Sequence, residues 1–145
     1  MELLDLLQNH ALMAALLAWL IAQIMKVVLV FWGEKRLDFS RMIGSGGMPS
    51  SHSALIVAMA TSVGKYEGLS STAFAIAAAV AMVVMYDAAN VRREAGRQAE
   101  LLNRIVLDLY RDNHLDQEKL KELLGHTPVE VAAGALLGVA VGWFV

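Results

Sequence analysis

A run of small and polar residues from Gly44 to Ser53 interrupts an otherwise apolar sequence and has the composition of an anion-binding loop. Glycines such as Gly47 let the backbone adopt left-handed conformations and approach a ligand closely. Ser50 or Ser51 can cap the helix that follows, and free N–H groups at a helix start favour phosphate. His52 lies one turn inside that helix, at the same anion. The alternative is structural: a glycine-rich turn with a serine cap and an interfacial histidine.

A second polar cluster lies between Tyr86 and Gln98, at the end of an apolar run. Arg92 and Arg93 are adjacent, and two arginines at a helix end can hold phosphate oxygens through their planar guanidinium groups. Asp87 lies inside the apolar run, where an ionisable side chain is a functional candidate, and it could orient an arginine or His52. Arginines at the cytoplasmic end of a span are also ordinary topology anchors, so both interpretations of the pair stay open.

A third cluster, from Gly125 to Glu130, combines a helix start with a titratable pair. Thr127 can cap a helix, and Pro128 suits its first turn. His126 and Glu130 are four residues apart and can share a helical face if the helix begins early. A carboxylate on one imidazole nitrogen fixes the tautomer and leaves the other nitrogen as a nucleophile or base. The alternative is a capped helix start with an unrelated histidine.

Lys26 is a fourth candidate, late in the first apolar run, with Gln23 one turn earlier on the same side. It could snorkel to the interface, or it could reach into the site as a point charge for phosphate. One histidine that attacks phosphorus and another that protonates the leaving oxygen need no metal. The sequence contains neither an Asp-rich magnesium motif nor a Walker loop. We therefore predict phosphoryl transfer through a phosphohistidine, with no metal and no cofactor.

These clusters must be positioned by membrane helices, because the chain is too apolar for a typical soluble domain. Its 145 residues are 57% hydrophobic and 18% charged, whereas soluble domains carry about 25% charged residues. Four apolar runs are candidate spans: Ala11–Trp32, Ser53–Val63, Ser71–Ala89 and Val129–Val145. The second is short but can be extended to about Ser50–Lys65. The predicted fold is all-α, a single membrane-embedded domain over residues 1–145 that forms a polytopic bundle of about four spanning helices. A hydrophobic soluble four-helix bundle is the alternative, but the first and third runs have no polar stripe to face water.

The charge of the loops predicts the topology. Loops 33–49 and 91–127 carry most of the basic residues, whereas loop 64–70 carries only Lys65. The positive-inside rule places the first and third loops, with all three polar clusters, on the cytoplasmic face of a bacterial-type inner (plasma) membrane. Both termini then face outward, unless the second run is re-entrant. The first ten residues carry no Lys or Arg, unlike the start of a signal peptide.

The third loop is predicted to be helical as well. From Val91 to Arg111, apolar residues recur at helical spacing opposite a charged face with pairs such as Arg104 and Asp108. This pattern indicates an amphipathic interfacial helix that lies on the membrane or packs on a partner. After a break, Asp116 is the predicted cap of a short helix that ends near Gly125.

Several segments resemble the divergent PAP2 family, which is named for its relation to acid phosphatases and vanadium-dependent haloperoxidases. The most specific segment is Gly46–Ala54, with the sequence GGMPSSHSA. The supporting segments are Asp87-Ala88 with Val91–Arg93, Gly96 with Gln98-Ala99, Leu102-Asn103, and Leu123–Pro128. The resemblance covers the chain from about Gln23 to Gly138. Membrane enzymes of the PAP2 superfamily typically have six spans, so four spans imply a PAP2-like reduced core that a homodimer could complete.

The resemblance also implies roles for individual residues. The central PAP2 signature, Pro-Ser-Gly-His, matches Pro49–His52 at three of its four positions. His52 would then be the general acid, and Ser50 with nearby N–H groups would hold phosphate. The last PAP2 motif ends in a nucleophilic histidine with an aspartate four residues later. His126 and Glu130 keep that spacing, which implies that His126 is the nucleophile and Glu130 its orienting partner.

Two PAP2 features are absent from the sequence. Glu118 and Lys119 stand where the family's Ser-Arg pair would precede the nucleophile. Arg92 or Arg93 could supply that arginine from a different helix. The first PAP2 motif has Arg-Pro seven residues after a lysine, but Gly33 stands seven residues after Lys26, so Lys26 would serve alone.

The combined prediction is an integral membrane phosphatase that hydrolyses a lipid phosphate or pyrophosphate. Its partners would be that substrate, the membrane and a second copy of the chain. A net charge of −2 gives no basic field for nucleic acid. The alternative is a catalytically inactive membrane module that binds phosphate-bearing headgroups or a protein partner. Haloperoxidase chemistry is disfavoured because it needs vanadate and a soluble, oxidant-accessible site.

Overall fold

The computed structural model describes residues 6–35, 47–109 and 126–145, most of which are helical. In chain order these are α1 (His10–Glu34), α2 (Ser51–Glu67), α3 (Thr72–Tyr86), a π-helical turn (Asp87–Val91), α4 (Arg92–Leu109) and α5 (Pro128–Phe144). No strand occurs in these three ranges. The prediction of an all-α chain is therefore confirmed for the part that the structure describes.

Side-chain caps fix where four of the helices begin. In each case a side-chain oxygen accepts a hydrogen bond from the backbone N–H three residues later, as an N-cap residue does. The capping residues are Asn9, Ser50, Ser71 and Thr127. Thr127 forms a full capping box, because the Glu130 carboxylate accepts the Thr127 N–H in return. Glu130, a candidate site residue, therefore also helps to fix the start of α5.

Long-range contacts define the directions of the helices. Lys26 of α1 bonds to Ser51 at the start of α2, and His10 stacks on Tyr66 at its end, so α1 and α2 are antiparallel. The turn at residues 68–71 makes α3 antiparallel to α2 as well. In contrast, α5 runs parallel to α2. The bundle therefore has a Lys26 end, where α2 and α5 begin, and a His10 end, where they finish.

Small residues line the contacts between α1, α2 and α5. Three glycines spaced by four residues, Gly134, Gly138 and Gly142, place α5 directly on the backbone of α2. A Cβ atom on Gly138 would lie 2.7 Å from the Ala54 carbonyl oxygen and 2.8 Å from the Val57 Cβ. Next to this contact, a fully buried core joins alanines of α1 and α2, and α5 packs against it as well; its members are Ala14, Ala18, Ala22, Ala54 and Ala58. Such small-residue seams are typical of helix packing in membranes.

The outer surface of the bundle is made of large apolar side chains. Leu136 is 73% exposed, Val83 is 68% exposed and Ile24 is 50% exposed. Small residues inside and large apolar residues outside are the reverse of a water-soluble core. Two helical stretches, His10–Trp32 and Thr72–Val106, are long and apolar enough to cross a membrane, and α5 is a shorter apolar helix. The described residues thus contain two of the four predicted spans by this measure.

The structure corrects the predicted boundary between the third span and the amphipathic helix. We expected the span to end at Ala89 and a separate helix to begin at Val91. Instead the helix continues from Thr72 to Leu109 through the π-helical turn. No proline or glycine lies between residues 73 and 95 to end it. The polar cluster around Asp87 is therefore inside a continuous helix, not at its end.

The charged face of α4 carries ion pairs at helical spacing. Arg104 pairs with Glu100, and Arg97 pairs with Glu94 at 2.8 Å. The predicted pair of Arg104 with Asp108 stays a prediction, because the Asp108 side chain lies outside the described part of the chain. The short helix predicted from Asp116 to near Gly125 lies outside it too.

The glycine seam gives a direct stability prediction. We expect Gly138→Ala to lower the free energy of unfolding by about 1–3 kcal/mol, because the added Cβ overlaps the α2 backbone. Val139→Ile adds one carbon on the exposed face next to it and should change stability little. Thermal unfolding of the detergent-solubilised variants measures both. Equal stability of the two variants would contradict the close approach of α5 to α2.

Candidate functional site

Three segments of the chain meet at the Lys26 end of the bundle. They are the last third of α1, the first turn of α2 and the first turn of α5. Because α2 and α5 are parallel, both direct their N-terminal N–H groups, and the positive ends of their dipoles, toward this end. The Ser50 N–H donates to the Glu130 carbonyl oxygen at 2.9 Å, which ties the two helix starts together. This arrangement favours the binding of an anion.

Lys26 completes the buried stripe of α1 at positions 14, 18 and 22. Its side chain is 3% exposed, and its Nζ donates to the Ser51 Oγ at 3.1 Å. The ammonium also interacts electrostatically with the Glu130 carboxylate. Of the two interpretations of this lysine, the structure favours the one in which it reaches into the site, because a snorkelling side chain would be exposed at its tip. A buried ammonium requires anionic or polar partners, which a phosphate would supply.

The loop before α2 packs against the lysine. Gly47 has a φ of 85°, a left-handed conformation that glycine adopts without strain. A Cβ at Gly47 would lie 3.9 Å from the Lys26 Cγ, so the backbone of the loop lies close over the lysine stem. The earlier part of this cluster, Gly44–Gly46, lies outside the described residues.

The serines at the start of α2 are fully enclosed. Ser50 and Ser53 have no exposed surface, and Ser51 is 3% exposed. The Ser50 Oγ accepts two hydrogen bonds from Ser53, one from the backbone N–H at 3.4 Å and one from the hydroxyl at 3.1 Å. Ser53 was not among the predicted site residues. Its position one turn after the cap, in a run of small polar residues, is the signal that could have identified it.

The two candidate catalytic histidines are neighbours. The ring centroids of His52 and His126 are 6.4 Å apart, with the rings at 60° to each other. His126 is 3% exposed, whereas His52 lies in the exposed class. One imidazole is therefore enclosed by the helices and the other can be reached from outside the bundle. A gap of this size between two rings is compatible with a phosphoryl group that contacts both.

Glu130 holds His126 as the four-residue spacing predicted. The His126 Nδ1 lies 3.3 Å from the Glu130 Oε2. The same Oε2 accepts the Thr127 N–H at 2.8 Å, so the capping box fixes the carboxylate that faces the imidazole. A carboxylate in this place favours the tautomer with the proton on Nδ1, which makes Nε2 the basic nitrogen. Thr127 therefore caps α5 and, through its bond to Glu130, also helps to position His126.

The Asp87 cluster lies at the same end of the bundle. The π-helical turn that begins with Asp87 follows α3, which runs antiparallel to α2, and the turn contacts α5. Asp87 is half-buried there. π-Helical turns are rare and are frequent at functional sites. The backbone of Arg92 and Arg93 opens α4 directly after the turn, but their side chains lie outside what the structure describes, so their predicted contacts with phosphate stay predictions.

The structure thus gathers most of the predicted site residues at one end. Lys26, Ser51, His126 and Glu130 are linked by contacts, and Gly47, Ser50 and His52 adjoin them. No group of three or more His, Cys, Asp or Glu side chains suited to a metal ion occurs among the described residues. The site brings together a buried ammonium, two imidazoles, serine hydroxyls and the Glu130 carboxylate.

Comparison with known proteins identifies the family of the chain. The sequence matches the model of the Divergent PAP2 family over residues 7–141, and the chain belongs to that family. It is 42% identical over 147 residues to the "Uncharacterized membrane protein YuiD" of Bacillus subtilis (strain 168), covering 94% of this chain and 93% of that protein. No solved structure matches the chain. The family assignment confirms the predicted resemblance, and the relative and the apolar helices together indicate a membrane protein.

The contact between His126 and Glu130 predicts a tautomer. We expect neutral His126 to carry its proton on Nδ1, and we expect Glu130→Ala to shift the population toward the Nε2–H form. Nitrogen-15 NMR of histidine-labelled protein measures the tautomer, with His10 at the opposite end as an internal control. A neutral His126 that is already Nε2–H in the unmodified protein would contradict the assigned contact.

Proposed function

We propose that this protein is an integral membrane phosphatase that hydrolyses a lipid phosphate or pyrophosphate through a phosphohistidine, without a metal. One observation carries the proposal: a buried lysine ammonium, two imidazoles with centroids 6.4 Å apart and a carboxylate on one of them converge at one end of the bundle. This set supplies a nucleophile, an acid and positive charge, which are the groups that phosphoryl transfer requires.

In the first step, His126 is the nucleophile. Its Nε2 attacks phosphorus, an N–P bond forms, and the bond from phosphorus to the leaving oxygen breaks. His52, protonated at the start, donates its proton to that oxygen, so the product leaves as an alcohol or a shorter phosphate. Glu130 accepts the hydrogen bond from Nδ1 and stabilises the positive charge that develops on the ring. This division of roles is consistent with one enclosed and one exposed imidazole.

In the second step, water hydrolyses the intermediate. His52, now neutral, takes a proton from water as the oxygen attacks phosphorus, and the N–P bond breaks. Inorganic phosphate leaves, the Nε2 of His126 is again unphosphorylated, and His52 is again protonated for the next cycle. Atoms and charge balance over the two steps with water as the only co-reactant.

The surrounding groups would stabilise the charge on the phosphoryl oxygens. The Lys26 ammonium, the Ser51 hydroxyl and the N–H groups at the start of α2 point to the same region. Fixed donors of this kind act most strongly where water is excluded. Arg92 and Arg93 are the candidates for further positive charge, and Asp87 is the candidate to orient one of them.

The membrane setting favours a lipid substrate. The stretch His10–Trp32 has 23 residues, or about 35 Å of helix, which exceeds the hydrocarbon thickness of about 30 Å. Exposed aromatic residues occur at both ends of the bundle, Trp32 and Tyr86 at one and Tyr66 and Trp143 at the other, as is typical of interfacial belts. We infer a four-span protein whose Lys26 end faces the cytoplasm, level with the headgroups of that leaflet.

Two further features belong to the same proposal. α4 carries exposed apolar residues such as Leu101 and Ile105 opposite its ion pairs, as expected of a helix on a membrane surface. A second copy of the chain could pack on the bundle and complete a reduced PAP2-like core. The alternative function, an inactive module that binds phosphate-bearing headgroups, is favoured by Glu118 and Lys119 at the place of the family's Ser-Arg pair.

The catalytic proposal predicts a defined pattern of phosphate release. Protein purified in detergent should release phosphate from at least one member of a panel of lipid phosphates and pyrophosphates with EDTA present. His126→Ala should abolish release. His52→Ala should lower kcat by roughly 10²–10⁴, the usual contribution of a general acid. His10→Ala, at the other end of the bundle, should leave the rate unchanged.

A matched pair of lysines refines this experiment. Lys26→Met should lower kcat/KM by about 10²–10³, because it removes a fixed charge from the phosphoryl site. Lys65→Met removes the same charge at the His10 end, where the lysine donates to the Trp143 carbonyl, and should have little effect. No release from any lipid by folded protein, with retained binding of lipid phosphates, would favour the inactive module instead.

The inferred orientation predicts which end a reagent can reach. The sequence has no cysteine, so single cysteines can be placed at will. Met48→Cys at the Lys26 end should be protected from an impermeant thiol reagent in intact cells, and Leu69→Cys at the other end should be labelled. Both positions are exposed on the protein, at 46% and 73%. Labelling of Met48→Cys from outside would overturn the cytoplasmic assignment.

A further inference from the structure

The π-helical turn between α3 and α4 changes which side of the continuous helix is covered. From α3 into the turn, the most enclosed residues are Ala77, Ala81 and Ala88, which are 5%, 5% and 2% exposed. Steps of four and seven residues keep them on one face of an α-helix. An α-helix without the turn would continue this covered face through Ala95 and Leu102, which are again seven residues apart.

The covered face of α4 lies one residue later than this pattern predicts. Ala95 lies in the exposed class, and Leu102 is 49% exposed. The residues that follow them in the chain are the covered ones, since Gly96 is buried and Asn103 is half-buried. Each residue of an α-helix advances the chain by about 100° around the axis. The turn has therefore rotated α4 by about 100° relative to an uninterrupted helix.

One extra residue in the turn Asp87–Val91 accounts for this rotation. A π-helical turn joins residue i to residue i+5 instead of i+4, so it contains one residue more than an α-helical turn. The Asn90 Nδ2 donates to the Tyr86 carbonyl oxygen at 3.3 Å. This bond joins residues four apart, so the side chain supplies a donor where the backbone N–H of residue i+4 donates in an α-helix. Asn90 thereby stabilises the widened turn.

The turn lies next to the candidate site. It contacts α5, whose first turn carries Glu130, and Ala88 within the turn is 2% exposed. Arg92 and Arg93 open α4 directly after the turn. The rotation of α4 therefore also determines on which side of the helix these two residues begin.

We propose that the extra residue of the π-helical turn positions α4 relative to the site, and that Asn90 is the positioning residue that holds the turn. The extra residue fixes the side on which Arg92 and Arg93 begin α4, and it keeps Leu102 off the covered face. The rotation of α4 does not depend on any activity, whereas its effect on phosphate release rests on the proposed function.

A substitution and a deletion at the same residue test this arrangement. Asn90→Ala removes the side-chain bond but keeps the extra residue, so the turn relaxes to an α-helix and α4 rotates. Deletion of Asn90 removes the bond and the extra residue together, so the helix is α-helical throughout and α4 keeps its rotation. We expect Asn90→Ala to lower kcat/KM for phosphate release by about 10- to 100-fold, as misplaced binding groups do. The deletion should keep most of the activity, whereas a side chain that acts by direct contact with the substrate would make the deletion at least as harmful as the substitution.

Spin labels measure the rotation without an assay of activity. A nitroxide on Leu102→Cys should be mobile in the parent protein and in the deletion variant. In Asn90→Ala it should be immobilised, because the rotation brings residue 102 onto the covered face. Leu101→Cys is the control, since Leu101 is 59% exposed and its position stays off the covered face in both orientations of α4.

The two measurements separate the rotation from the proposed function. Labels that respond as expected, in protein that releases no phosphate, would support the rotation and contradict the proposed phosphatase. Equal mobility of the Leu102→Cys label in all three proteins would overturn the proposal. A deletion at least as harmful to phosphate release as Asn90→Ala would overturn it as well.

Discussion

The close approach of α5 to α2 is the constraint on which the rest of the structure depends. Gly134, Gly138 and Gly142 let the two backbones touch, and any side chain there would overlap α2. Because the helices are parallel, the same contact brings both of their N-termini to one end of the bundle. The Ser50 N–H then reaches the Glu130 carbonyl oxygen. If α2 and α5 were further apart, Ser50 at the start of α2 would be separated from His126 at the start of α5.

The site follows from this packing through a short series of contacts. The α5 capping box fixes the Glu130 carboxylate, and the carboxylate in turn faces His126. The alanine stripe of α1, which packs on α2, brings Lys26 against Ser51. Backbone packing of small residues therefore positions charged and titratable side chains that the apolar interior would otherwise disfavour. The polar groups are few, but each is held by an element that also contributes to the core.

Much of this arrangement could be predicted from the sequence because it depends on short-range sequence patterns. The caps at Ser50 and Thr127 and the four-residue spacing of His126 and Glu130 are short-range features, and the structure places them as predicted. The continuity of the helix through Asp87–Val91 was missed, since polar residues suggested an end where no proline or glycine imposes one. The sequence did not decide whether the Lys26 side chain snorkels to the interface or turns into the bundle. The hydropathy pattern around a lysine is the same in both cases. The packing of α1 on α2 decides the position of Lys26, and that packing depends on residues far apart in the chain.

The central claim is that His126 is the group that bonds to phosphorus, and trapping that bond tests it most directly. Protein mixed with a radiolabelled lipid phosphate that it hydrolyses, and quenched within one turnover, should carry a label that is labile in acid and stable in base. Mass spectrometry should locate the phosphoryl group on His126, and His126→Ala should carry none. Phosphate release with no labelled protein at any time, or a label on another residue, would contradict the account.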